Sequence, residues 1–134
     1  MPYKSTLEDS EKLSELKLGL PIFVRNYFDS RQMRLSLKTM ISCAYDFQLF
    51  FRYLKENNPA FSEKPIVNFS IEDLGKLSVE DMEEFMSWQR RTCESNTTIN
   101  RRLSSVSSLY DYLIKRDYLL MKNPVSLIDR EKRV

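Results

Sequence analysis

A stripe of apolar side chains at helical spacing constrains this chain more than any other feature. Its members lie three or four residues apart, with one adjacent pair, which is the period of an α-helix that buries one face. Ser36 is a suitable N-cap before the stripe, and Asn58-Pro59 is a suitable end after it. The pattern predicts one helix over residues 36–57. The stripe consists of Met40, Cys43, Phe47, Phe50, Phe51 and Leu54.

The scarcity of glycine favours a helical fold for the whole chain. Only 2 of the 134 residues are glycine, whereas a β-rich domain of this size needs many glycine-dependent turns. Hydrophobic residues make up 42% and charged residues 30%, which is typical of a soluble globular protein. No apolar stretch approaches the roughly 20 residues that span a bilayer. We therefore expect an all-α domain with no membrane partner.

Shorter apolar stripes and capping signals complete a bundle of four main helices. In chain order, the four predicted helices cover residues 21–30, 36–57, 78–91 and 98–115. Residues 70–73 indicate a single capped turn, and Val125 to Ile128 are expected to add a short final helix. Residues 1–17 are interpreted as a lead-in (a short helix or a poorly ordered segment), 18–128 as one compact domain, and 129–134 as the start of a linker.

Missing residue types exclude several kinds of catalysis. The chain has no histidine, which rules out serine–histidine or cysteine–histidine catalysis and a histidine-ligated zinc. Cys43 and Cys93 cannot build a disulfide framework, so we expect a reducing, cytoplasmic location. The acidic residues around Asp81 are interpreted as a solvated helix start. We expect no metal, no cofactor, no small-molecule substrate and no enzymatic activity by this chain alone.

Charge is uneven along the chain although the net charge is only +2. Residues 18–55 and 86–116 each carry six basic side chains against two acidic ones, and an acidic segment lies between them. The fourth predicted helix adds a polar face of short hydroxyl side chains and arginines. Such a face suits close approach to a DNA groove, but an ordinary solvated face has the same composition. That face consists of Thr97, Arg101, Arg102, Ser104, Ser105, Ser107 and Ser108.

Three motifs towards the end of the chain carry a resemblance to a known family. They are Thr98-Ile99-Asn100-Arg101-Arg102-Leu103-Ser104, then Tyr110-Asp111-Tyr112-Leu113, then Asn123-Pro124. Together they resemble the end of the N-terminal core-binding (SAM-like) domain of tyrosine recombinases, the phage integrases and Xer-type recombinases. The resemblance extends over residues 18–128. It departs from the family pattern at Cys43-Ala44-Tyr45 and at Ser107, where family members carry basic residues.

The resemblance implies a function and a set of contact residues. In the family this domain lies on one side of double-stranded DNA at a recombination site, the second and fourth helices face the major groove, and the first helix contacts other recombinase protomers. Strand cleavage belongs to a separate C-terminal domain, so none of the seven tyrosines is expected to be the nucleophile. The DNA-contacting residues implied by position are Lys38, Thr39, Ser42 and Tyr45, followed by Thr97, Thr98, Arg101, Arg102, Ser105 and Ser108.

Two other functions remain open at this stage. A helical protein–protein interaction module without DNA binding would use the first helix or the acidic third helix to dock a partner. A helix-turn-helix regulator is disfavoured, because about 40 residues separate the second and fourth helices where that motif needs a tight turn.

Overall fold

The computed structural model describes residues 2–92, 95–116, 118–119 and 121–128, with side chains from Thr6 onward. Throughout these residues the regular structure is helical and there is no strand, which confirms the predicted all-α class. None of the described helices is long and apolar enough to cross a membrane. The helices are α1 (Pro2–Leu18), α2 (Ile22–Ser30), α3 (Leu37–Asn57), α4 (Ile71–Gly75), α5 (Val79–Arg91) and α6 (Asn96–Lys115), with 3-10 turns at Ile66–Asn68 and Pro124–Leu127.

The four predicted helices correspond to α2, α3, α5 and α6. Ser36 and Ser78 cap α3 and α5 as expected. Helix α6 begins two residues earlier than predicted, because the Ser95 side chain accepts a hydrogen bond from the Thr98 amide and caps the helix there. The capped turn expected at residues 70–73 is the short helix α4.

The chain divides into two compact units, residues 1–70 and 71–134. In the first unit, α3 buries its apolar stripe, apart from the half-buried Cys43, against α1, α2 and the segment that follows α3. Aromatic rings dominate this core: the Phe51 ring lies edge-on to Phe23 and Phe69, with centroids 6.4 and 5.8 Å away. Tyr27 and Phe47 make a similar contact at 5.6 Å. Edge-to-face geometry is the arrangement that aromatic pairs prefer, so the rings hold α2 and α3 in a defined register.

Helix α1 is longer and better packed than the lead-in expected from the sequence. Leu13 and Leu16 are buried, and these two side chains are the main apolar contribution of α1. Its C-terminal end is capped from α2, since Arg25 donates hydrogen bonds to the Lys17 and Leu18 carbonyls at 2.9 and 3.3 Å. The sequence allowed only a short helix here because α1 has a weak apolar pattern, and contacts with other parts of the fold stabilise its full length.

The second unit is built around α6, which packs against α5 and the 3-10 turn at Pro124–Leu127. The amide of Asn123, a residue of the Asn-Pro motif, fixes that turn to α6. Its Nδ2 atom lies 3.0 Å from the Ser107 carbonyl and 2.9 Å from the Asp111 carboxylate, and its Oδ1 accepts the Val125 amide at 3.0 Å. One buried side chain thereby joins two elements of this unit.

Tyr110 on α6 is fully buried, and its hydroxyl donates a 2.7 Å hydrogen bond to the Leu74 carbonyl of α4. Burial raises the pKa of Tyr110 well above its ordinary value, and the nearby Asp81 charge adds to the effect. The phenol therefore stays protonated in the folded protein.

We expect Tyr110→Phe to lower the free energy of unfolding by about 1–2 kcal/mol at pH 7, because the buried Leu74 carbonyl loses its donor. Above about pH 10 the phenol ionises in the unfolded chain but stays protonated in the folded protein, which lowers the stability of the parent. The variant has no phenol at this position and therefore does not lose this stability. The difference between them should shrink as the pH rises. Urea unfolding at pH 7 and pH 11 measures it, and Tyr118→Phe, at an exposed tyrosine of the same unit, is the control.

Candidate nucleic-acid interface

The implied contact residues on α3 form one exposed face at the start of that helix. Lys38, Thr39, Ser42 and Tyr45 are all exposed, and their spacing of one, three and three residues places them on adjacent turns. Ser36 caps this end: its hydroxyl oxygen accepts the Thr39 amide at 3.1 Å and donates to the Thr39 hydroxyl at 3.0 Å. We call these four residues the α3 face. It combines a cation, two hydroxyls and a phenol.

Helix α1 borders the α3 face, which the sequence did not indicate. The Lys38 ammonium forms an ion pair with the Asp9 carboxylate at 3.2 Å. The Lys12 ammonium lies 5.9 Å from the centroid of the Tyr45 ring, which is 44% exposed. Two of the four residues of the α3 face are therefore in contact with charged side chains of α1.

The implied contact residues on α6 do not all share one exposed surface. Thr97 and Arg101 are exposed, whereas Thr98, Arg102 and Ser108 are half-buried. Ser105 is only 7% exposed, so its expected position opposite the buried stripe is wrong. It lies in line with Leu109 and Tyr112, which are also buried and make the apolar sector of α6 wider than the predicted stripe.

Ser104 takes the place that was expected for Ser105. The polar row on α6 is Thr97, Arg101, Ser104 and Ser108, at intervals of four, three and four residues. We call these residues the α6 row. It places one long cationic side chain among three short hydroxyl side chains, so the backbone of α6 is not screened by bulky groups along this line.

The two neighbouring arginines of α6 have different surroundings. Arg101 is exposed, whereas Arg102 is half-buried and its Nη1 donates a 3.2 Å hydrogen bond to the Oε1 of Gln89. Gln89 is fully buried on α5, and its Nε2 has no hydrogen-bond partner among the described residues. No sequence pattern singles out Gln89, because a glutamine near a helix end is commonly exposed.

Helices α3 and α6 begin with the same cap. At the start of α6 the Ser95 hydroxyl oxygen accepts the Thr98 amide at 3.1 Å and donates to the Thr98 hydroxyl at 3.0 Å, as Ser36 does with Thr39. The exposed Lys38 and Thr97 occupy the position just before each threonine, in the first turn. First turns carry the positive end of the helix dipole, which favours anions such as phosphate.

The acidic residues at the start of α5 cap and stabilise that helix. Asp81 accepts the Ser78 amide at 2.8 Å, and its own amide donates to the Ser78 hydroxyl at 3.2 Å, which completes a capping box. Within the described part of the chain, no group of three or more cysteine or acidic side chains is placed to hold a metal ion. The interpretation of Asp81 as part of a helix start is confirmed.

Comparison of the sequence with models of known protein families identifies the family of this chain. Residues 23–117 match the family model described as "Phage integrase, N-terminal SAM-like domain", and the chain belongs to that family. No solved structure shows a significant match to the chain.

Curated relatives carry the name tyrosine recombinase XerS. The protein from Streptococcus mutans serotype c is 34% identical over 114 residues, and that from Streptococcus uberis is 34% identical over 122 residues. A protein of the same name from Lactococcus lactis subsp. cremoris is 32% identical over 114 residues. Each match covers 77% of this chain and 32% of the relative, so the chain spans about a third of the length of the curated relatives it matches.

We expect Gln89→Met to leave the free energy of unfolding within about 1 kcal/mol of the parent or to raise it. The change removes a buried amide nitrogen that lacks a partner among the described residues, at the cost of one hydrogen bond to a half-buried arginine. Gln89→Ala is the matched control, and the cavity it leaves should lower stability by a further ~2–4 kcal/mol. Chemical denaturation measures both. Destabilisation by Gln89→Met of well over about 1 kcal/mol would show that the hydrogen bond to Arg102 outweighs the unpaired amide.

Proposed function

We propose that this chain is the core-binding domain of a tyrosine recombinase, and that it binds the double-stranded DNA of a recombination site through the α3 face and the α6 row. The observation that carries the proposal is the α6 row itself, a line of hydroxyls around the exposed Arg101 on the helix that holds the family motif, exposed except at the half-buried Ser108. Membership of the integrase N-terminal family and the recombinase names of the relatives support it.

The α6 row has the chemistry that reading a DNA groove requires. Short hydroxyl side chains let the helix backbone approach the bases and themselves bond to phosphates or base edges. The exposed Arg101 has the length and the forked donors for a bidentate contact with guanine O6 and N7. Arg102 is half-buried and held at one nitrogen by Gln89, so it suits a phosphate contact that is insensitive to sequence.

The α3 face supplies positioning contacts rather than sequence reading. The Lys38 ammonium neutralises a phosphate, and the hydroxyls of Thr39, Ser42 and Tyr45 bond to phosphate or sugar oxygens. All four side chains are exposed, and Lys38 and Thr39 lie in the first turn of a 21-residue helix, at its positively polarised end. The two sets of residues thus have separate roles in the proposal, with α6 selecting a sequence and α3 adding affinity.

Strand cleavage, in this proposal, is performed by a separate catalytic domain and not by these residues. The chain has no histidine to complete the catalytic constellation of the family. Tyr110 is unsuited to attack a phosphate, because its hydroxyl is buried and donates to a backbone carbonyl. The proposed partners are duplex DNA and other recombinase protomers bound to it, in the cytoplasm, with no small-molecule substrate.

Binding to DNA should be weak and strongly dependent on salt. If three to five phosphates are neutralised, the logarithm of the binding constant should fall against the logarithm of salt concentration with a slope of roughly −3 to −5. Arg101→Gln should cost about 1–3 kcal/mol on a preferred duplex and relax the preference at one base position. Anisotropy titrations with a labelled 30-base-pair duplex, and selection from a randomised duplex pool, measure the two effects.

The control for Arg101→Gln is Lys76→Gln, which removes one exposed positive charge from the same unit but lies off α6. Glu83→Gln with Glu84→Gln should leave affinity unchanged or raise it slightly through charge. If Arg101→Gln and Arg102→Gln bind like the parent while the changes at Glu83 and Glu84 abolish binding, the α6 assignment fails. If the parent binds no duplex at low salt, the protein–protein interaction module becomes the better reading of the exposed helical faces.

The purified chain should neither nick nor religate supercoiled DNA, with or without divalent metal ions. The reason is the missing catalytic constellation described above. Gel electrophoresis of a supercoiled plasmid after prolonged incubation measures the activity, with a topoisomerase as the positive control. Nicking that disappears when one exposed tyrosine, such as Tyr45, is changed to phenylalanine would contradict the proposal.

A further inference from the structure

Helix α1 contacts the α3 face at two places, one near each end of that face. Asp9 meets Lys38 through an ion pair of 3.2 Å, and Lys12 meets the ring of Tyr45 at 5.9 Å. Lys38 and Tyr45 are seven residues apart, which is about 10 Å along a helix axis. A carboxylate of α1 therefore lies within the surface to which DNA binding is assigned above.

The ion pair between Lys38 and Asp9 is arranged so that the cation remains accessible. The Lys38 side chain is 78% exposed, while the Asp9 side chain is 24% exposed and held against the protein. Exposed ion pairs of this kind contribute little to stability, so a lysine can exchange its carboxylate partner for another anion at a small cost in free energy. A phosphate oxygen and the Asp9 carboxylate compete for the same ammonium group.

We propose that Asp9 competes with DNA phosphate for Lys38 and so holds down the affinity of the α3 face for duplex DNA. This inference rests on the proposed function. In the free protein Asp9 neutralises Lys38, and in the complex the same carboxylate lies close to the bound phosphate and repels it. Helix α1 thereby weakens the phosphate contact that is common to every sequence, which increases the share of binding energy that depends on base contacts by α6.

The test compares Asp9→Asn with Glu8→Gln in the complete 134-residue chain. Both changes remove one negative charge from adjacent residues of α1, but Glu8 is exposed and forms no ion pair with Lys38. With a labelled mixed-sequence 30-base-pair duplex at low salt, Asp9→Asn should bind about two- to fivefold more tightly. Its salt dependence should steepen by about one, since one more cation becomes available to displace a counterion. Glu8→Gln should change affinity by a smaller factor and leave the slope unaltered.

The route through Lys38 is tested by repeating both changes in a Lys38→Met background. There the gain from Asp9→Asn should fall to that of Glu8→Gln, because the group for which Asp9 competes is gone. Equal gains from Asp9→Asn and Glu8→Gln in the parent, together with weaker binding by Lys38→Met, would overturn this inference and leave the proposed function standing. If the chain binds no duplex, or if Lys38→Met and Arg101→Gln both bind like the parent, the proposed function fails and the inference falls with it.

Discussion

Burial of the aromatic stripe of α3 is the interaction on which the first unit depends. Phe47, Phe50 and Phe51 are fully buried, and the rings of Phe47 and Phe51 meet rings from α2 and from the segment after α3 in edge-on contacts. Each such side chain contributes roughly 1.5–3 kcal/mol through the area it removes from water. Because a helix has a fixed period, burying one face also decides which residues the other face presents. The exposure of Lys38, Thr39, Ser42 and Tyr45 is therefore a consequence of the core.

The sequence predicted most strongly where a long apolar period coincides with a capping residue. Helix α3 ends at Asn57 and α5 at Arg91, as expected, because proline or a polar break follows a clear stripe. Helix α1 was not anticipated at its full length, since only Leu13 and Leu16 mark its buried side. Local pattern is a poor guide to a helix that is held mainly by contacts from elsewhere in the chain.

The candidate site was predicted less completely than the fold, for reasons visible in single residues. Exposure was predicted correctly for Arg101 and incorrectly for Ser105, because a serine carries no signal of burial and the apolar sector of α6 is wider than its strongest stripe. Gln89 and Asp9 were missed for a different reason. Gln89 contacts Arg102 and Asp9 contacts Lys38, and each pair is widely separated in the chain. Pairing of polar side chains over such separations produces no periodic pattern in the sequence.

The amide of Asn123 has a mechanical consequence for α6. Its nitrogen reaches the Ser107 carbonyl and the Asp111 carboxylate, which lie one turn apart on that helix, and its oxygen holds the Val125 amide. The 3-10 turn is therefore tied to two successive turns of α6, so that moving the turn away from the helix that carries Arg101 would break hydrogen bonds at both. Asn123 is in this sense a non-covalent crosslink, because both the nitrogen and the oxygen of a single side-chain amide form hydrogen bonds.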